Sequence, residues 1–316
     1  MLDVICAGII VADHVCTPIP HVPAAGELVM ADSMLLTIGG CAANAAVDLA
    51  RMNVRVGIVG RVGADVFGRV VSDLLRAAGV ETSSLQISAD TDTSQTLIVN
   101  VVGQDRRFIH TFGANRDFRA ADISLDLLQD AKVLYVGGYL AMPAVTPDEL
   151  ALVFATARAQ GVKTVLDVVV PGPGEYLSRL DRLLPHVDVF LPNNHEGEII
   201  TGEKDPLRQA GVFQRLGAGT TVITMGDAGS ILVQGDLRLR AGVYSVPTVD
   251  ASGGGDAFDA GYMCGLLQGK GPEDCLRLAS ALGASCVRAI GTTPGVFTRT
   301  ECAAFLQENN LAIERV

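Results

Sequence analysis

The chain has 316 residues, 49% of them hydrophobic, with 35 glycines and no tryptophan, which is enough to bury a large core and excludes a disordered chain. A formal charge of −11 argues against a general nucleic-acid or anionic-membrane surface and leaves small-molecule chemistry, with room for a local phosphate site. Seven scattered cysteines without Cys-x-x-Cys spacing, and five histidines without a His-x-x-x-His pair, argue against a zinc centre or a disulfide framework.

Val4 to Ile10 reads as a short buried strand by length and β-branching, with no basic leader before it. No apolar run reaches membrane-spanning length, so a reducing cytoplasm is expected. Asp13 follows at the strand's carboxyl end, where open α/β sheets place ligand groups; the alternative is a turn cap. From Thr17 to Leu28, Pro18, Pro20, Pro23 and Gly26 block helix and predict an extended excursion. Gly39 and Gly40 then precede an alanine-rich helix, which allows close approach at a helix N-terminus or tight helix packing. Asn44, polar among neighbours that read as buried, needs a hydrogen-bond partner from protein or ligand.

A strand at Val54 to Val59 leads through a glycine-punctuated turn, with Asp65 as cap, to an amphipathic helix ending at Ala78. From Thr93 to Thr111 the pattern changes to a β-hairpin around Gly103-Gln104-Asp105. A hairpin in a helix-strand chain predicts a small separate sheet, and residues of about 14–37 and 93–112 would together form a lid. Arg106 and Arg107 near its tip are either solvated charges or reach an anionic or polyhydroxylated ligand.

Strands at Val133 to Val136, Thr164 to Val170, Val187 to Leu191 and Thr221 to Thr224 alternate with helices at Pro147 to Gln160, Tyr176 to Leu184, Glu196 to Thr201 and Pro206 to Leu216. This alternation specifies a mainly parallel central sheet with helices on both faces, a three-layer α/β/α arrangement within one domain over 1–316. After the third of these strands stand Asn193 and Glu196, oxygen donors suited to magnesium, unless Glu196 is only a first-turn helix acid. Thr224, Gly226 and Gly229 follow the next strand, consistent with a backbone approach to a nucleotide. Helices at Pro272 to Ala289 and Arg299 to Asn309 read as packing.

The stretch that organises the rest runs from Asp250 to Gly261. Gly253, Gly254 and Gly255 can aim successive amides into one concavity, and Asp256 opens an apolar segment of about three helical turns whose positive end faces the same place. Asp256 is then either an N-cap or a carboxylate that accepts a hydroxyl proton beside amides holding a phosphoryl group. No P-loop, dinucleotide fingerprint or nucleophile elbow occurs. An anion cradle, a neighbouring carboxylate, a magnesium-side acid and a lid fit phosphoryl transfer to a hydroxyl.

Over essentially its full length the chain resembles the ribokinase-like (PfkB) family of carbohydrate and nucleoside kinases. Gly39-Gly40 through Gly68, and Asp250 through Gly261, carry the match, the latter being similar to an Asp-Thr-Thr-Gly-Ala-Gly-Asp pattern. The resemblance implies Asp256 as base, with Gly253, Gly254 and Gly255 as anion hole. It implies Asn193 and Glu196 for magnesium and phosphate, Thr224, Gly226, Gly229 and Ser280 around the nucleotide, and Asp13, Gly39, Gly40 and Asn44 at the sugar hydroxyls. It further implies ATP and Mg2+. Some members also bind a potassium-like cation (K+) through backbone carbonyls, which here would be Asp250, Ser252, Cys286, Ala289, Gly291 and Gly295. Ala251 and Ser252 replace the usual threonines, Gly254 an alanine, and Cys41 and Ala42 a lysine and glycine of ribokinases proper.

The expected activity is an ATP-dependent kinase of a small sugar. A nucleoside kinase would need an apolar clamp, for which Phe108, Phe112 and Tyr139 are the candidates, and a nucleotide- or sugar-binding protein without catalysis is the alternative from another class. No nucleic-acid or membrane partner is expected; in the family that the chain resembles small lids often pair edge to edge, and an uncovered sheet edge is a liability, which together imply a homodimer.

Overall fold

Alternation along the first strand sets the layers. Val4 and Cys6 turn to one apolar cluster and Ile5 and Ala7 to another, all buried, because successive side chains of a strand point to opposite faces. The computed structural model describes residues 1–104 and 106–316; Asp105, the third residue of the expected hairpin turn, lies outside the described residues.

The chain opens with β1 (Val4–Gly8), β2 (Val11–Cys16), β3 (Met34–Gly39), α1 (Cys41–Arg51), β4 (Val56–Gly63), α2 (Val66–Ala77), β5 (Leu85–Ser88), β6 (Gln95–Val99) and β7 (Arg107–Thr111). It continues with β8 (Val133–Gly137), α3 (Pro147–Ala159), β9 (Lys163–Leu166), α4 (Leu177–Leu180), β10 (Val189–Phe190), α5 (Asn194–Thr201), α6 (Pro206–Arg215) and β11 (Thr220–Thr224). The last elements are β12 (Ser230–Gln234), β13 (Leu237–Ala241), α7 (Gly254–Leu267), α8 (Pro272–Cys286), α9 (Arg299–Glu308) and β14 (Ile313–Arg315).

A ten-stranded sheet has the order β14-β13-β12-β11-β10-β9-β8-β1-β4-β5. It is parallel from β11 through β5, and β12, β13 and β14 extend one edge in antiparallel fashion. Side chains of α1, α2, α7, α8 and α9 join one buried cluster, and those of α3, α4, α5 and α6 the other, giving the expected three layers. β1 lies between β4 and β8, so successive crossovers leave it in opposite directions and open a crevice outside the carboxyl ends of these strands. A second sheet, ordered β3-β2-β6-β7, is separate from the first.

Two expectations change. The chain leaves the large sheet after Gly8 and resumes extended structure as β2, so Asp13 lies inside a strand of the small sheet and not at the end of β1. The helix expected from Tyr176 to Leu184 is one turn, Leu177–Leu180, and a separate 3-10 turn that includes Pro185 follows over Leu184–His186.

Candidate active site

The turn into α7 depends on one glycine. Gly253 has φ +76°, and a Cβ there would stand 2.3 Å from the Thr292 carbonyl oxygen. The helix begins at Gly254, so Asp256 is its third residue and Gly253 caps it; the N-cap reading of Asp256 is overturned. Amides of a first helical turn lack intrahelical acceptors, and Asp256 belongs to that turn. A Cβ at Gly255 would have nothing within 4 Å, so packing does not demand glycine there.

Asn44 on α1 supplies the partner that Asp256 needs. Its Nδ2 donates to Asp256 Oδ2 at 2.8 Å, and the Thr292 hydroxyl lies 2.9 Å from its Oδ1. Asn44 is only 3% exposed, so both ends of its amide are used within the protein. Burial raises the Asp256 pKa, while hydrogen bonds from Asn44 and the Cys41 thiol favour the ionised form.

Asp13 is buried, and Gly39 on the neighbouring strand lies against its carboxyl group: a Cβ at 39 would come within 2.0 Å of Asp13 Oδ2. Burial pushes Asp13 up to about 7 against a hydrogen bond from Thr96, and the charge on Asp256 adds to the rise. Gly40 caps α1 with φ +91°.

Sequence reasoning missed the acids behind this pair. Asp167, just beyond β9, accepts from the Gly138 amide at 3.0 Å, and its carboxylate, the Cys41 thiol and Asp256 all lie within 4.8 Å of one another. Asp259, one turn after Asp256, accepts from the Tyr135 hydroxyl at 2.9 Å. Burial, then the charges of neighbouring acids, raise Asp167 and Asp259 well above the carboxylate range. Glu196 is raised to about 7 by burial, with Asp256 adding to the rise and the amides of Asn193 and Val170 opposing it. A group of acids that hinder one another's ionisation is relieved by a divalent cation.

Glu196 also completes a capping box. Asn193 Oδ1 accepts from the Glu196 amide at 2.9 Å, and Glu196 Oε2 accepts from the Asn193 amide at 2.9 Å. The reading of Glu196 as a first-turn helix acid is therefore borne out. Thr224 pairs with Ser230 across the β11–β12 hairpin. Gly226, at φ +58°, faces open space, whereas Gly229 answers to packing, since a Cβ there would lie 2.0 Å from the Ala241 carbonyl oxygen. Ser280 is buried on α8. Arg106 Nη1 donates to Ser252 Oγ at 2.7 Å and lies 3.4 Å from Asp250 Oδ1. Tyr139 is fully buried, its hydroxyl donating to the Arg179 carbonyl at 3.2 Å, so it cannot clamp a base. A cavity of about 480 Å³ near α8 and α9, lined by Lys270, Arg277 and Arg299 among others, contains none of these residues.

Residues 1–299 match the pfkB family carbohydrate kinase model. The chain is 29% identical over 307 residues to a ribokinase of Haemophilus influenzae, covering 95% of this chain and 97% of that protein. It is 26% identical over 263 residues to a nucleoside kinase of Methanothermobacter thermautotrophicus, covering 82% and 81%. The structure of Arabidopsis thaliana ribokinase complexed with ribose and ATP superimposes with a TM-score of 0.82 at 24% identity, covering 97% of this chain and 99% of that one. The parallel sheet with its separate small sheet, the glycine-capped α7 and the full-length match agree: the chain belongs to the pfkB family of carbohydrate kinases.

Proposed function

We propose that the chain is an ATP-dependent kinase that phosphorylates a hydroxyl of a small sugar, with Asp256 as general base. The observation that carries this reading is the Asp256 carboxylate, oriented by Asn44 at 2.8 Å and carried on the first turn of α7. Asp13, Gly39 and Gly40 would meet sugar hydroxyls, while Asn44, expected at the sugar, positions the base. The amides from Gly253 to Asp256 would hold the transferring phosphoryl group, and Thr224, Gly226, Gly229 and Ser280 would line the nucleotide. Glu196, Asn193 and Asp167 offer the oxygen donors that suit Mg2+, which when bound neutralises phosphate charge. The small sheet would act as a lid that excludes water. All seven cysteines are free and buried, which suits a reducing compartment such as the cytoplasm.

The test is ADP release with ribose, fructose and other sugars against adenosine and inosine, for the wild type and Asp256→Asn. A sugar should drive release that falls at least about 100-fold in the variant with ATP binding retained. Full activity in Asp256→Asn refutes the base assignment, and no release with any acceptor favours a silent binding protein. A nucleoside acceptor is the second reading, favoured by Phe108: it is 57% exposed and, through Ile98 and Val15, shares the sheet face of Asp13. The other face carries exposed Met34, Leu36, Leu97 and Ile109, which supports a homodimer through the small sheet, measurable by sedimentation.

A further inference from the structure

The loops at 250–252 and 285–295 meet beside the start of α7, and by the resemblance given above their carbonyls would cage a potassium-like cation. In this chain the protein's own donors brace that cage. Arg106 reaches Ser252 Oγ and Asp250 Oδ1 from the β6–β7 hairpin. Arg288 donates through Nη2 to the Gly295 carbonyl at 2.9 Å and through Nε to the Ser285 carbonyl at 3.1 Å, with its guanidinium 4.3 Å over the Phe297 ring. The Cys286 thiol lies 3.2 Å from the Ser252 carbonyl and 3.0 Å from that of Thr292. The Asp250 carboxylate accepts from the Ser252 amide at 2.9 Å and the Gly291 amide at 3.0 Å. Two of the carbonyls a cation would need, those of Ser252 and Gly295, thus already accept hydrogen bonds, and a cation entering here would stand beside two positioned guanidinium groups.

We propose that this kinase works without a monovalent cation, because Arg106 and Arg288 hold the two loops in the arrangement a cation would otherwise impose. The inference rests on the kinase reading. It also makes Arg106 a positioning residue that ties the small sheet to the α7 turn, not a sugar ligand.

The test compares KCl with tetramethylammonium chloride at equal ionic strength, reading both Tm and ADP release. For the wild type the two salts should give the same Tm and rates within twofold. Arg288→Gln, and the double variant Arg106→Gln/Arg288→Gln, should gain a response, with KCl raising Tm and, where turnover is measurable, rate at least fivefold. A wild type activated fivefold or stabilised by KCl overturns the inference, as do variants that stay indifferent to the salt. Absence of turnover with every acceptor sinks the kinase reading alone, since the Tm comparison still decides the cation question.

Discussion

Asn44 and Asp256, 212 residues apart in sequence, form a 2.8 Å hydrogen bond in which the amide donates and the carboxylate accepts. The bond stabilises the ionised form of a carboxyl group that burial pushes the other way. Asn44→Ala should lower kcat by about ten- to hundredfold, the range of a hydrogen bond to a charged group. It should also raise the Asp256 pKa, so the acid limb of the kcat–pH profile moves to higher pH. An unmoved limb with an altered Tm would mean that Asn44 only packs.

Gly255 separates what the fold needs from what the chemistry needs. A Cβ there meets no neighbour, and an alanine in a first helical turn should stabilise by about 0.5–1 kcal/mol. The same methyl would stand among the amides proposed to hold the phosphoryl group. Gly255→Ala should therefore raise Tm and cut turnover together. Gly39→Ala should lose both, because its Cβ would collide with the Asp13 carboxyl group. A Gly255→Ala enzyme with wild-type turnover would remove the anion hole from this turn.

The glycine run before Asp256 was legible because conformational freedom leaves a mark in sequence: three glycines at a helix start have few uses. The parallel sheet was legible for a similar reason, since strand and helix periods alternate plainly after Val133. Asp167 was not. It sits within the apolar run Thr164 to Val170, which reads as continuous strand, and only the end of β9 at Leu166 places it in the crevice. Cys41 stood out only by departing from the family pattern, and its contact with Asp256 and Asp167 depends on α1 crossing α7, a relation with no local signal. Asp13 lies within β2 and not at the carboxyl end of β1, where the sequence pattern places it. The move from the large sheet to the small one takes two residues, too few for periodicity to register.

The buried acids predict an unusual pH dependence of stability. Asp13 and Glu196 are raised to about 7, and Asp48, Asp167, Asp256 and Asp259 are raised as well, burial being the leading cause for each. Such groups bind more protons folded than unfolded, so stability falls as pH rises from their unfolded pKa, near 4, through the folded value. Acids lowered in the fold, such as Asp65 and Glu301, act in the opposite sense but only below about pH 5. Tm should therefore drop by several degrees between pH 5 and 8. Asp48 is opposed only by the nearby Arg51 charge, since neither carboxylate oxygen has a hydrogen-bond partner among the described residues. Asp48→Ala should raise Tm, more at pH 8 than at pH 5, whereas a flat wild-type profile would mean the acids titrate normally.

The capping role of Glu196 and its proposed role at Mg2+ can be separated by one atom. In the capping box its Oε2 accepts from the Asn193 amide, and a glutamine carbonyl can accept there equally well. Glu196→Gln should thus keep α5 and leave Tm within about 2 °C, since a retained cap changes stability little. What glutamine lacks is the charge that would attract Mg2+ into the site proposed with Asn193 and Asp167. The Mg2+ concentration for half-maximal ADP release should rise by about tenfold or more, while Glu196→Ala should show the same rise and also lose stability. If Glu196→Gln matches the wild type at every Mg2+ concentration, the carboxylate serves the helix alone, and the metal must be held by other oxygens of the crevice.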